Sequence, residues 1–170
     1  MIQLRLEESF FTRDVLEVAL ELPGKYLMIK NSDNSVSRYM ITEVEAYRGE
    51  EDLACHASKG RTARTEIMFH RGGHLYIYLI YGMYWMLNVV TGLENIPQAV
   101  LIRGLKGLDG PGKITKHLGI DRSYYGENLN VSERIWIEGP GKRLKIIKGP
   151  RIGIDYAGEY WSGLEWRFYV

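Results

Sequence analysis

The segment that most constrains the fold is Gly72–Leu93, because it carries no formally charged side chain. Its most apolar part, Leu75–Val90, is shorter than the roughly 20 residues that a membrane-spanning helix needs. Over residues 75–79, leucine or isoleucine alternates with tyrosine, which is the period of two of a β-strand. The segment therefore predicts a buried β-hairpin that is hinged at Gly82, and not a membrane span.

Length and charge predict one soluble domain. The 170 residues suit a single domain over 1–170, and the lone Cys55 rules out an intrachain disulfide and indicates a reducing compartment. The 22 Lys and Arg residues against 21 Asp and Glu residues leave a net charge of +1, so any nucleic-acid-binding surface must be local. The first ten residues have no apolar signal core, and we therefore expect an intracellular protein.

Hydrophobic periodicity divides the chain into several strands and at least two helices. One helix is predicted from Thr12, as its N-cap, to about Glu21, and a short one over 113–118 that ends at Gly119. Strands are predicted over residues 26–30, 38–46, 74–81, 83–91, 98–105, 135–138, 144–154 and 166–170. Because strands and helices follow at irregular intervals, the sequence predicts a single α+β domain.

Two familiar motifs fail when their chemistry is checked. Residues 107–114 nearly form a phosphate-binding loop, but Ile114 replaces the hydroxyl that binds Mg²⁺, and Pro111 removes a backbone donor. This excludes nucleotide hydrolysis, although the helix start can still hold a single phosphate. A scattered zinc set fits no standard spacing, so we expect no metal and no cofactor; its members are Cys55, His56, His70 and His74.

Residues 39–47 supply a candidate for chemistry. In a strand, Glu43, Glu45 and Tyr47 point to one face, whereas Val44 and Ala46 point into the other layer. A carboxylate with an aromatic ring two residues away suits a general base beside a ring-binding pocket. On periodicity alone, a solvated strand face with ordinary glutamates is the commoner outcome.

The tip of the predicted hairpin is unusually bulky. Tyr81 falls out of register beside Gly82, and Met83 and Tyr84 follow directly. A ring at such a tip can wedge between stacked bases, although plain hairpin packing is the commoner role.

Basic residues cluster in two places. One cluster surrounds a single acidic residue, Glu66, and the other contains no acidic residue. Clusters of this kind make phosphate contacts, and they also occur as ordinary surface patches, so both interpretations stay open. The first cluster comprises Lys59, Arg61, Arg64 and Arg71, and the second comprises Lys142, Arg143, Lys145, Lys148 and Arg151.

A set of short motifs follows in a fixed order along most of the chain. The motifs are Thr42–Tyr47 with His56, Arg61–Phe69, Tyr76–Tyr84 with Asn88, Val100–Arg103, Gly110–Lys113 and the closing Arg167–Val170. Together they closely resemble the alkyladenine (3-methyladenine) DNA glycosylases, and Tyr76–Tyr84 is the most specific of them. Two positions depart from the family pattern, because Leu87 stands in place of an aromatic residue and Gly104 in place of alanine.

The resemblance implies a DNA repair enzyme that flips a damaged purine nucleotide out of the duplex and hydrolyses its N-glycosidic bond. Glu45 would deprotonate the attacking water, and Arg103 would position that water and the neighbouring phosphate. A backbone carbonyl near Ile154 would also hold the water. The implied lesions are 3-methyladenine, 7-methylguanine, hypoxanthine and ethenoadenine.

The resemblance also implies how the flipped base is held. Tyr47, His56 and Tyr78 would sandwich the base, and Tyr76 would orient His56. Asn88 would crowd the 2-amino group of guanine.

Further contacts would involve the duplex itself. Tyr81 would fill the gap that the flipped base leaves in the stack. We expect a monomer acting on double-stranded DNA that contains damaged purines, with a curved, mostly antiparallel sheet, a protruding β-hairpin and peripheral helices. The residues expected against the DNA backbone are Arg61, Arg64, Met83, Tyr84 and Lys113.

The residues themselves leave two other functions open. The same tyrosines and basic patches would serve a non-catalytic module that binds single-stranded nucleic acid. A small-molecule enzyme with an aromatic pocket would use the tyrosines without any salt-dependent affinity for DNA.

Overall fold

The computed structural model describes residues 4–170, and its centre is a nine-stranded sheet in which all neighbouring strands pair antiparallel. The strands are β1 (Tyr26–Lys30), β2 (Val36–Arg48), β3 (Leu75–Ile80), β4 (Tyr84–Val90), β5 (Gln98–Leu105), β6 (Leu108–Asp109), β7 (Ile135–Glu138), β8 (Ile147–Gly149) and β9 (Arg167–Tyr169). The main order is β3-β4-β5-β2-β1-β7, with β6 beside β5, and β9 between β2 and β8.

Four α-helices surround this sheet within residues 4–170, which confirms the predicted α+β class. The helices are α1 (Glu8–Phe11), α2 (Val15–Glu21), α3 (Pro111–Leu118) and α4 (Glu159–Gly163). Helix α2 packs on β2 and β5, and α3 packs on β4 and β5. None of the helices in this part of the chain has the length and apolar character to cross a membrane.

The side chains of the sheet divide between two faces by simple alternation. Val44 and Ala46 in β2, like Leu75 and Ile77 in β3, lie in the main core with the helices. Tyr76, between the last two, belongs to a separate buried cluster with Cys55, Met68 and Phe69. Because a strand sends successive side chains to opposite faces, one face builds the core and the other is left free to build a site.

Strand β2 carries an irregularity next to the site. Its register against β5 shifts on both sides of Glu43, which pairs with Gly104. A Cβ at position 104 would lie only 2.8 Å from Thr42 Oγ1 and 3.0 Å from the Cβ of Glu43. The glycine therefore permits the close approach of the two strands at this position.

The hairpin of β3 and β4 forms as the sequence predicted. At its tip, Tyr81 and Gly82 have φ values of 53° and 65°, and the Met83 amide donates to the Ile80 carbonyl at 3.1 Å. Positive φ at both central residues is typical of the tight turns that match strand twist. The Tyr81 side chain is held out into solvent, and the residue is 85% exposed.

The start of the first predicted helix was wrong. Thr12 follows the short helix α1 as its C-cap, and α2 begins only at Val15. Its N-cap is Asp14, whose carboxylate accepts from the Leu16 amide at 2.9 Å. Aspartate is a stronger N-cap choice than threonine, and here it satisfies one of the unpaired amides of the first turn.

The predicted strand over 144–154 was also too long. Only Ile147–Gly149 pairs with β9, and residues 150–154 turn away as a loop towards β2. Pro150 cannot donate a ladder hydrogen bond, and Gly153 takes a positive φ of 74°. This loop brings Ile152 and Ile154 to the site described next.

Candidate active site

The functional side chains predicted from the sequence meet on the face of the sheet opposite the main core. Alternation in β2 places Glu45 and Tyr47 there, while Val44 and Ala46 point into the core, as predicted. The neighbouring strands supply the rest of the set from the same face: Tyr76 and Tyr78 from β3, Asn88 from β4 and Arg103 from β5.

An aromatic wall is built by His56, Tyr76 and Tyr78. His56 begins the 3₁₀ turn His56–Lys59, and its Nδ1 lies 2.8 Å from the Tyr76 hydroxyl. The His56 and Tyr78 rings meet edge to face with centroids 4.5 Å apart. Burial, with smaller effects of the positive charges of Arg64 and Lys59, lowers the pKa of His56 to about 4. The imidazole is therefore neutral at physiological pH.

Two adjoining cavities open beside this wall. The deeper one has a volume of about 40 Å³, and the outer cleft has a volume of about 530 Å³. They share Tyr47, His56, Tyr78 and Tyr156 as lining residues. The deep cavity is completed by Ala54, Cys55, Met68, Tyr76, Asn88 and Ala99.

Asn88 lies at the bottom of the deep cavity. It is 3% exposed, and its side-chain amide donates to the Tyr76 carbonyl at 3.2 Å. This bond fixes the amide group against the hairpin backbone, so that Asn88 presents a rigid polar edge to anything that enters.

Glu45 has no exposed surface and lines neither cavity, but it contacts three residues that line the outer cleft, Tyr47, Arg103 and Ile152. Its Oε2 accepts from the Ile152 amide at 3.0 Å and from the Tyr47 hydroxyl at 3.4 Å. Arg103 Nη1 is 2.9 Å from Oε1, but within residues 4–170 that oxygen has no donor in hydrogen-bonding geometry. One oxygen is thus held in place while the other keeps its capacity to accept.

Desolvation raises the pKa of Glu45, against the opposing effects of Arg103, the Ile152 amide and Arg151. A carboxyl group with a raised pKa is a better proton acceptor once it is ionised. Arg103 also approaches Glu43 at 3.4 Å, and Arg167 approaches the same Glu43 oxygen at 3.2 Å. Arg103, which lines the outer cleft, therefore lies between two carboxylates, those of Glu43 and Glu45.

The rim of the outer cleft holds several residues that were predicted to contact DNA. Tyr81, Tyr84 and Lys113 line the cleft, and Met83 is 64% exposed at the hairpin tip. Lys113 belongs to the first turn of α3, whose start faces the same opening through Gly110–Gly112. The rim thus combines exposed rings with a cation.

The two predicted arginines of the 61–64 segment differ in their surroundings. The Arg64 guanidinium lies over the Tyr78 ring, 5.2 Å from its centroid, and therefore adjoins the aromatic wall. Arg61 makes a two-pronged ion pair with Glu66, both contacts at 2.8 Å, and lines neither of the two cavities. The structure does not bring Arg61 to the other site residues.

Sequence reasoning missed four residues of the site: Asp52, Arg151, Ile152 and Tyr156. Arg151 had been grouped with a surface cluster of cations, but it is buried and paired with Asp52. Tyr156, which lines both cavities, donates its hydroxyl to the Ala54 carbonyl at 3.2 Å. No local pattern marks these residues, because their partners lie about a hundred positions away in the chain.

In residues 4–170 the side chains that can ligate a metal are not clustered, and the one thiol, that of Cys55, is buried. No group of three or more His, Cys, Asp or Glu side chains between positions 4 and 170 is arranged to hold a metal ion. Burial raises the pKa of the Cys55 thiol to about 12, so the thiolate that would act as a nucleophile is not formed near neutral pH.

The site thus combines an aromatic cavity, a buried carboxylate and a cationic rim. The family model described as methylpurine-DNA glycosylase matches residues 9–110 and 105–170. The chain belongs to this family and is a DNA glycosylase, an enzyme of DNA repair. Family membership thus rules against the two other functions that the sequence left open, a non-catalytic module that binds single-stranded nucleic acid and an enzyme that acts on a small molecule.

Individual relatives from bacteria and an archaeon match nearly the whole chain. A protein of Psychrobacter cryohalolentis is 42% identical, over 91% of this chain and 86% of its own. A protein of Legionella pneumophila strain Corby is 44% identical, over 98% and 94%. A protein of Methanocella arvoryzae is 42% identical, over 96% and 91%. Each carries the name "Putative 3-methyladenine DNA glycosylase".

Proposed function

We propose that this enzyme flips alkylated or deaminated purine nucleotides out of duplex DNA and hydrolyses their N-glycosidic bond with a water primed by Glu45, which leaves an abasic site. The substrate class comprises 3-methyladenine, 7-methylguanine, hypoxanthine and ethenoadenine. The observation that carries the proposal is the aromatic cavity that lies next to a buried carboxylate, whose Oε1 accepts no hydrogen bond in residues 4–170 and is covered by Arg103 alone. The names of the relatives agree with the first of these substrates.

Flipping comes first, because a stacked base hides its glycosidic bond from any protein group. Extrusion costs a few kcal/mol, and the cost is least for damaged or mispaired bases. Tyr81 is 85% exposed at a rigid hairpin turn, so its ring is available to enter the gap in the stack. Stacking of a base on an aromatic side chain contributes roughly 1–3 kcal/mol, enough to offset that cost.

The everted base would lie between Tyr47 on one side and the His56–Tyr78 wall on the other. An alkylated purine is cationic, and electron-rich rings attract a cation. A neutral His56 matters here, because an imidazolium would repel the same base; its lowered pKa keeps it neutral. Asn88 at the bottom of the cavity would meet the 2-amino group of guanine and so disfavour undamaged guanine.

Hydrolysis would then proceed at C1′ of the everted nucleotide. Water loses a proton to Glu45 Oε1, its oxygen bonds to C1′, and the C1′–N bond breaks with its electron pair going to the base. A cationic alkylated purine leaves as a neutral base, whereas a neutral lesion needs a proton as it departs. The developing oxocarbenium ion is stabilised by the same carboxylate. A backbone carbonyl near Ile154, a residue that lines the cleft, is the proposed second ligand of the water.

Access to Glu45 depends on Arg103, which covers Oε1 at 2.9 Å in the protein alone. A DNA phosphate at the rim would draw the guanidinium towards itself, because phosphate and guanidinium form strong charge-assisted bonds. That movement would uncover Oε1 for the water at the moment when substrate is bound. Arg103 thus has two roles in the proposal, one at the phosphate and one at the water.

The duplex would be held by the rim of the cleft. In the proposal, the backbone around the flipped nucleotide would be met by Lys113, Arg64, Tyr84 and Met83, which lie at or near the cleft or on the exposed hairpin tip. Arg61 is engaged with Glu66, so we expect it to contribute less to phosphate binding than Lys113 does. The proposal has the enzyme act as a monomer on chromosomal DNA.

The proposal is tested by base release from a panel of duplexes, each with one of the four lesions, scored as strand breaks after hot alkali. We expect release from at least one lesion duplex and none from the matched undamaged duplex. Because phosphate contacts release counterions, we also expect affinity to fall as salt is raised. Absence of alkali-labile sites with every purine lesion would overturn the proposed function.

A further inference from the structure

A fully buried ion pair between Arg151 and Asp52 lies behind the candidate active site. Both side chains have no exposure, and their two contacts measure 2.6 Å and 3.0 Å. Taking both charges out of water is costly, and well-packed apolar residues of similar volume often replace such a pair without loss of stability. Stability alone therefore does not account for this pair.

Asp52 organises the loop that leads to His56. Its carboxylate accepts from the amides of Arg48 and Ala54, each at 3.0 Å, and its carbonyl accepts from the Cys55 amide at 2.9 Å. His56 follows directly and starts its 3₁₀ turn from this anchored segment. The position of the aromatic wall thus depends on the Asp52 carboxylate.

Arg151 organises the opposite side of the site. Its Nη1 donates to the Ala46 carbonyl at 3.0 Å, between Glu45 and Tyr47, and its guanidinium lies 4.9 Å from the centroid of the Tyr47 ring. The next residue, Ile152, donates its amide to Glu45 Oε2. A single guanidinium thus fixes the backbone of the general base, the ring beside it and the amide that holds its carboxylate.

We propose that Arg151 and Asp52 are positioning residues of the glycosylase, which together hold Glu45, Tyr47 and His56 in their working geometry. The inference rests on the proposed function, since it assigns Glu45 as the general base and the rings as the base clamp. It adds a pair of residues whose side chains have no solvent-exposed surface. The bidentate fork matters, because a lysine cannot bond to both carboxylate oxygens and a carbonyl with fixed geometry.

Within the pair, Arg151 also acts on the charge state of Glu45. Its positive charge lowers the pKa of Glu45 against desolvation, so removing that charge raises this pKa further. The acidic limb of the rate profile is the pH range in which the rate falls as the solution is acidified. This limb would then move to higher pH, since the ionised carboxylate of Glu45 is the active form. The other titratable or charged groups around Glu45 stay in place in this comparison: Arg103, Glu43, Tyr47, Tyr78 and Tyr156.

The test measures the single-turnover rate of base release against pH for Arg151→Met combined with Asp52→Asn, which removes both charges and leaves neither unpaired. We expect the rate to fall by about tenfold to a hundredfold, as for small misplacements of catalytic groups. We expect the acidic limb to move to higher pH and the affinity for undamaged duplex to stay unchanged. Arg151→Lys keeps the positive charge. It should therefore show the acidic limb at the same pH as the unaltered enzyme, but only part of that enzyme's rate.

Two controls separate the possible failures. Val18 lies on helix α2 and belongs to the main core, away from the site. Val18→Ala therefore destabilises the fold and should leave the acidic limb of the rate profile unmoved. Glu45→Gln checks the proposed function itself: full activity in that variant would remove the general base, whatever Arg151 does. If Glu45→Gln is inactive and the double variant keeps the original rate and limb, the positioning role is refuted. If the double variant does not fold, an unchanged rate in Arg151→Lys refutes it instead.

Discussion

Arg103 and Glu45 face each other across adjacent strands at 2.9 Å, yet Glu45 Oε1 receives no hydrogen bond in the described part of the chain. The two carboxylate oxygens thus have different partners. Arg103 compensates the charge at Oε1, whereas Oε2 accepts a hydrogen bond from the Ile152 amide. Arg103 therefore compensates the charge of a buried carboxylate and covers the oxygen that accepts no hydrogen bond. In the proposed mechanism this oxygen takes a proton from water once Arg103 moves towards a DNA phosphate.

The buried position of Glu45 predicts the pH dependence of base release. Desolvation raises its pKa above the ordinary value of 4.5, and release needs the ionised form. The rate should therefore be lost as pH falls through this raised pKa, at a higher pH than for an exposed glutamate. The measurement is the single-turnover rate against pH on a duplex whose lesion is already cationic. A rate that stays constant down to pH 4.5 would contradict the assignment.

His56 provides a second prediction about charge. Its pKa is lowered from 6.5 to about 4, mainly by burial, so it should stay neutral while exposed imidazoles acquire protons. As pH falls, the unfolded chain, in which the pKa of His56 is about 6.5, binds a proton at a higher pH than the folded chain does. His56 therefore contributes stability that is lost as pH falls from about 6.5 towards 4. An NMR titration of the ring signals measures this directly, and His56→Gln identifies the signal. Protonation of His56 near pH 6.5 would show that the wall is more open than described.

The fold was largely predictable wherever the local periodicity of apolar and polar side chains decides the secondary structure. Alternation across 75–79 and 39–47 indicated both the hairpin and the face shared by Glu45 and Tyr47, and the structure confirms both. The first helix start was wrong because capping by Asp14, rather than Thr12, depends on which side chain reaches the first free amide.

The back of the site was not predictable from local sequence. Asp52 and Arg151 are separated by 99 positions, and neither lies in a periodic segment that would place it inside. Arg151 follows a run of exposed cations and looks like one of them in the sequence. Only the folded loop shows that its charge is buried and matched.

Tyr81 should matter for duplex binding and hardly at all for stability. The ring is 85% exposed, so Tyr81→Ala removes few native contacts and should leave the melting temperature unchanged. If the ring stacks in the gap of the duplex, its loss should weaken affinity for a lesion duplex by roughly 1–3 kcal/mol. Titration of a fluorescent ethenoadenine duplex measures both flipping and affinity. Tyr160→Ala, at a 70% exposed tyrosine that lines neither cavity, is the matched control. Equal affinity in wild type and Tyr81→Ala would argue against the wedge.

Asn88 should control discrimination against guanine. Its amide is fixed by the Tyr76 carbonyl at 3.2 Å, so it cannot move aside for an extra amino group. Asn88→Ser shortens the side chain and should raise release of undamaged guanine, by about tenfold or more if one polar contact is relieved. Release of hypoxanthine, which lacks the 2-amino group, serves as the internal control and should change little. A parallel rise for both bases would point to a looser pocket instead of lost selectivity.

The most direct test of the account is base release by Glu45→Gln, measured under single turnover on a lesion duplex together with its binding affinity. Glutamine keeps the size of the side chain and can still accept from the Ile152 amide, but it cannot take a proton from water. The account predicts a loss of about 10²–10⁴-fold in rate, the usual contribution of a general base, with lesion binding largely retained. Release at the rate of the unaltered enzyme would contradict the role of Glu45 and the mechanism built on it.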